Sequence, residues 1–227
     1  MKIVTYIFLA IVAIILIGYK IADYKFISYQ EKEYQRAQFA NITESPRTFP
    51  DSIKMPDKNF WYLINTSKAK YPFNYRLQLA YLTDTLSKCS NKDIIGFECT
   101  FRENMVRLWN YNIKSMYQII EGNYISTDDF VYFRGYLISL GQEITNTAIQ
   151  NPDLVSVPLD RTEWSGEDMI YVADQAYSTK NRQLKGSTAP RDSASAVDYD
   201  FGNYKMTGHY IPLDEFPRRF PKLTARY

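Results

Sequence analysis

The chain has 227 residues, 45% of them apolar and 23% charged, with a formal net charge of +2. That mixture is globular rather than disordered, and the length allows one good-sized domain with appendages. So small a net charge, with no basic cluster longer than "PRR", argues against a nucleic-acid partner.

The N-terminus carries the strongest signal. Ile3 to Tyr19, "IVTYIFLAIVAIILIGY", is 17 residues without a charge, bracketed by Lys2 and Lys20. As a helix it spans roughly 26 Å, enough for a bilayer core when the flanking lysines snorkel. A cleaved signal peptide is the alternative, but "GYKIAD" lacks the small-residue cleavage pattern. The expectation is a single-pass transmembrane anchor over residues 1–20, touching the membrane through residues 3–20. Lys20, Lys25, Lys32 and Arg36 favour a cytosolic C-terminal side if counted alone. Acids interleave with them, and large domains cross largely regardless of such charges, so the reading is a bacterial inner-membrane protein with a periplasmic domain.

Residues 21–56 read as a helical stalk followed by a linker, because "NITESPRTFPDSIKMPD" brings three prolines together. A helical domain is expected over residues 57–227. "DKNFWYLINTSKA" groups Phe60, Trp61, Leu63 and Ile64 behind Asp57 as a cap, and "NYRLQLAYLTDTLSK" repeats Leu79, Leu82 and Leu86 at helical spacing. "DIIGFECTFRENMVRLWNYNIKSMYQIIEG" is one long helix, or two with a break near Asn110, closed by Gly122. "ISTDDFVYFRGYLISLGQEI" starts at Ser126 as N-cap and carries Phe130, Phe133, Leu137, Leu140 and Ile144 as a core stripe. Gly135 and Gly141 inside that pattern suggest a second backbone passing close by. Ser165 and Asp168 resemble a capping box for "SGEDMIYVADQAYSTK". Residues 181–212 are polar and aperiodic, a flexible loop within the domain, and "PLDEFPRRFPKLTARY" is a tail docked on the helices. No convincing strand appears, so the fold class is all-α.

Arg134 adjoins Phe133 at the edge of the stripe, where a half-buried guanidinium needs a carboxylate or several carbonyls. It is either a structural ion pair or a cleft arginine awaiting an anionic group. The candidate binding set is Arg134 with Asp128, Asp129, Trp109 and Trp61. The two acids also suit helix capping, and the tryptophans are expected at least partly buried beside the stripe. No catalytic residue, cofactor or metal site is assigned. His209 is the only histidine, which excludes multi-histidine metal sites, and no phosphate-binding loop or dinucleotide fingerprint occurs. Carboxylate chemistry stays open through Glu98, Glu103, Asp128, Asp129 and Glu143. Cys89 and Cys99 form one disulfide in an oxidising compartment or two buried thiols in a reduced core.

"FWYLI", "LW" at Leu108 and Trp109, the "STDDFVYFRGYLISLGQEI" stretch, "NPD" at Asn151 to Asp153 and the closing "FPRRFPKL" occur in a family-like order. In this the chain resembles the bacterial domain-of-unknown-function family DUF4240 over residues 57–227. The resemblance implies no activity, and its usual member is cytosolic, which the N-terminal apolar run sets against. Two functions follow: a non-enzymatic, membrane-anchored protein that captures a protein partner, in toxin neutralisation or in the envelope; or an enzyme using carboxylates and Arg134 on a small polar or phosphorylated substrate.

Overall fold

A computed structural model describes residues 6, 8–22, 25–26, 47–122, 125–156, 166–183, 186–200 and 204–227. Two compact units divide at residues 42 and 43. In the first, residues 6, 8–22, 25 and 26 are helical and expose Phe8, Leu9, Ile11 and Ile14 to Ile17. Among the described residues no helix is long and apolar enough to cross a membrane. Residues 1–5 and 7 of the expected anchor, and 23, 24 and 27–46 of the expected stalk and linker, lie outside the described set.

The second unit is helical, with no strand among its described residues. Its longer helices are α1 (Asp57–Lys70), α2 (Tyr75–Ser87), α3 (Asn91–Arg107), α4 (Tyr111–Glu121), α5 (Thr127–Ser139) and α6 (Gln142–Gln150). After a 3-10 turn at Pro152–Leu154 come α7 (Glu167–Ile170), α8 (Val172–Lys180) and α9 (Ala189–Ser193). A second 3-10 turn at Leu213–Glu215 leads to α10 (Phe216–Arg219) and α11 (Pro221–Arg226). The core is apolar and aromatic: Phe60, Phe97, Phe101, Phe133, Leu82 and Ile113 are almost fully buried.

Local chemistry explains most boundaries and corrects several expectations. Helix α1 follows Pro56, and Asp57 is its first residue rather than its cap. Asn74 caps α2 by accepting from Leu77 N–H. Ser90 and Asp93 form a full capping box for α3, a signal overlooked in the sequence. The long apolar pattern does divide at Asn110, and Gly122 in the left-handed region closes α4. The stretch from Ser126 to Ile144 is not one helix. Ser126 caps α5 as expected, but the helix ends at Ser139, and Gly141 turns the chain at φ 103° into α6. Ser165 lies outside the described residues, and the helix after it is interrupted at Tyr171.

Close backbone approach is confirmed at Gly135. A Cβ there would sit 3.1 Å from the Gly166 carbonyl oxygen, so the start of α7 lies directly on α5. Packing also begins earlier than Asp57. Phe49 and Met55 are buried, Phe49 N–H donates to Glu103, and Thr100 Oγ1 donates to Met55 O at 2.7 Å. The polar segment expected to be a flexible loop contains α9 and buries Ala194, Val197, Tyr199, Tyr204, Met206 and Ile211. Its anchors are too widely spaced to show a helical or strand period. The tail docks as expected: Asp153 Oδ1 accepts from Lys222 N–H and Leu223 N–H, and Arg226 donates to Val155 O.

Candidate functional site

Arg134 is fully buried, not half-exposed at an edge. Its Nη1 donates to Met105 O and its Nη2 to Tyr199 O, both at 2.9 Å, and Nε reaches Phe130 O at 3.4 Å. The guanidinium carbon lies 5.0 Å from the Trp109 ring centre and 5.3 Å from that of Phe130. The two sequence alternatives are a structural ion pair and a cleft arginine; the observed contacts are interior, two carbonyl acceptors together with an electrostatic pull on the Asp200 carboxyl. Trp109 is buried with it, donating from Nε1 to Tyr204 O at 2.7 Å. Trp61 is buried against Phe60 on α1. Asp129 accepts from the Ser126 hydroxyl and its carboxylate works as part of the cap. The five candidates therefore do not converge at one recess; Asp128 lines a cleft that the other four do not line.

That cleft, of about 570 Å³, opens between α5, α7, α9 and the segment after α9. Asp128, Val131 and Tyr132 come from α5, Arg102 from α3, and Arg191 and Asp192 from α9, while Asp198, Tyr199 and Asp200 close the far side. Its two arginines are held from behind. Arg102 Nε donates to Glu98 at 2.8 Å, Nη1 donates to Val197 O, and the guanidinium lies 5.0 Å from the Tyr199 ring. Arg191 pairs through Nε with Asp174 and stacks 5.0 Å over Tyr171. Nη2 of Arg102 and both Nη atoms of Arg191 have no hydrogen-bond partner among the described residues. Fixed guanidiniums with spare donors suit a carboxylate or phosphate.

The carboxylates behind and around them feel the burial. Desolvation raises Glu98 and Asp174, opposed by Arg102 and Arg191 respectively. Partial desolvation and neighbouring Asp198 also raise Asp200, with Arg134 pulling it down. Asp198 accepts from Asp200 N–H at 2.9 Å, and Asp192 accepts from the Thr188 hydroxyl at 2.8 Å. The cleft thus offers cationic donors at its floor and four aspartates around them.

Because the folded chain keeps a proton on Glu98 above the ordinary value of 4.5, it binds more protons than the unfolded chain in that window. Stability from this group therefore falls as pH rises from 4.5 through the raised folded value. Glu98→Gln is expected to flatten that slope, read from urea midpoints at a series of pH values.

The remaining sequence candidates are placed elsewhere. Glu103 holds Lys54 and Phe49 N–H, and Glu143 and His209 are exposed. Cys89 and Cys99 are free thiols. Cys99 sits well inside α3 while Cys89 precedes it, a separation of about 12 Å along the axis against the roughly 7 Å limit for a disulfide. Burial pushes the Cys99 thiol up to about 11, so it is a packing residue rather than a reactive one. Arg102 was legible as the i+4 partner of Glu98; Arg191 and the far-side aspartates had no periodic signal.

Fold and cleft together define an all-α domain with a polar, charge-lined recess. The chain belongs to the family described as protein of unknown function (DUF4240), whose model matches residues 55–179. The match covers α1 to α8 and stops short of the closing "FPRRFPKL" that the resemblance included. No curated protein and no solved structure matches the chain.

Proposed function

We propose that the protein is a membrane-anchored, non-enzymatic binding protein that captures a charged segment of a protein partner in the cleft of Arg102 and Arg191. The observation that carries this is the pair of arginines, each fixed by a buried acid and an aromatic ring, with donors left over at one recess. Such preorganisation favours recognition over chemistry, since these guanidiniums position a ligand without moving protons. The two aliphatic hydroxyls of the lining are occupied: Ser195 donates to Asp192 O and Thr188 to the Asp192 carboxylate. The exposed apolar helix of residues 8–22, together with the overlapping uncharged run from Ile3 to Tyr19, supports insertion of residues 3–20 in a bilayer. A periplasmic position and a toxin-neutralising or envelope-associated role complete the reading.

Asp200 favours one alternative. A raised carboxyl in the same recess as Asp128 and Asp198 is suited to acid–base work on a small polar or phosphorylated substrate. A photocrosslinker at exposed, cleft-lining Ser195 separates the two in the full chain. Partner crosslinking from position 195, with none from a crosslinker at position 154, is expected. Absence of a position-specific crosslink, with a small molecule consumed by wild type but not by Asp200→Asn, favours the enzyme.

A further inference from the structure

The turn between α1 and α2 presents an aromatic side chain that the folded unit leaves uncovered. Phe73 is 89% exposed, and Leu77 in the first turn of α2 is 48% exposed. The turn is not loose. Asn74 N–H reaches Tyr71 O at 3.4 Å, Pro72 fixes the backbone between them, and Lys68 Nζ donates to Pro72 O at 2.9 Å. Asn74 then caps α2. A phenylalanine at the tip of so fixed a turn is held in water at a cost that burial elsewhere would relieve.

The charge around it selects the surface that relieves it. No acidic residue occurs between Asp57 and Asp84, a stretch that contains Lys58, Lys68, Lys70 and Arg76. Lys70 and Arg76 flank the tip and are exposed, and Lys70 Nζ lies 4.2 Å from the Tyr81 ring centre. The recess described above carries four aspartates instead. An aromatic tip flanked by Lys70 and Arg76, in a stretch of chain without acids, matches the boundary of an anionic bilayer: the ring enters the headgroup region and the cations meet lipid phosphates.

We propose that the Tyr71–Asn74 turn is a contact for anionic lipid, inserting Phe73 and Leu77 while Lys70 and Arg76 bind headgroups. The contact is local to the turn and does not depend on the N-terminal anchor. Anchoring is read by whether the chain sediments with vesicles, and turn contact by a probe at residue 73, so the two succeed or fail separately.

The full chain carrying Phe73→Trp is mixed with phosphatidylcholine vesicles, with or without phosphatidylglycerol, containing lipids brominated on their acyl chains. Fluorescence quenching beyond that of the wild-type tryptophans is expected only with phosphatidylglycerol, and salt should reverse it. Leu154→Trp, an exposed site on the 3-10 turn, should show none. Adding Lys70→Glu and Arg76→Glu should weaken the lipid dependence on the order of tenfold or more, at about fivefold per lost cation. These surface changes are expected to leave the circular dichroism spectrum unchanged. No added quenching with the anionic lipid, equal quenching in pure phosphatidylcholine, or equal quenching of Leu154→Trp overturns the proposal. Protection of the probe by polyglutamate without any response to vesicles also overturns it, assigning the turn to an acidic protein.

Discussion

Arg134→Ala is expected to lose about 3–5 kcal/mol of folding stability, most or all of the margin of an ordinary domain. The change strips donors from Met105 O and Tyr199 O and opens a void under the Trp109 ring. Arg134→Lys should recover little, because an ammonium on a flexible stem does not span two carbonyls as the planar fork does. The urea midpoint, read beside crosslinking from position 195, decides the matter. A variant of unchanged stability that no longer captures its partner would return Arg134 to the role of a binding residue.

Phe133→Ala should cost a similar amount, about 3–5 kcal/mol, for a different reason. The ring is fully buried and stacks on Tyr117 at 4.6 Å with planes 13° apart. Its removal leaves a cavity and takes from Tyr117 the nearer of its two stacked rings, the other being Phe130 at 6.3 Å. A thermal melt of Phe133→Ala indistinguishable from wild type would mean that α5 buries another face. The two neighbouring positions thus test separate physics on one turn of helix, satisfaction of carbonyls and filling of volume.

Helix α5 shows how far the amino-acid pattern reaches. Ser126, the stripe of Phe130, Phe133 and Leu137, and the backbone approach at Gly135 were all legible, since each depends on neighbours within a turn or on the absence of a Cβ. Gly141 was not. A glycine tolerated inside a helix and a glycine turning at φ 103° look alike in sequence. The depth of Arg134 was hidden for another reason: its acceptors come from residues 29 and 65 positions away. The same holds for the cleft. Glu98 and Arg102 share one helix and announce their pairing by spacing, whereas Arg191 meets Asp174 from another element, and Asp198 and Asp200 sit in a segment without period. Local rules recover caps and stripes; tertiary partners decide which charges are interior.

The segment after α9 also sets an order for synthesis. Val197 O receives Arg102, Tyr199 O receives Arg134, and Tyr204 O receives the Trp109 indole. A nascent chain that has emerged only as far as residue 179 already contains α1 to α8, yet both guanidiniums and the indole still lack these acceptors. Such an intermediate holds two buried cations short of partners and should stay open, a substrate for chaperones and proteases, until some twenty-five further residues arrive. Completion of the fold is then a late event, gated by arrival of the strap. A ribosome-stalled chain ending before Val197 should accordingly be far more protease-sensitive than the finished protein.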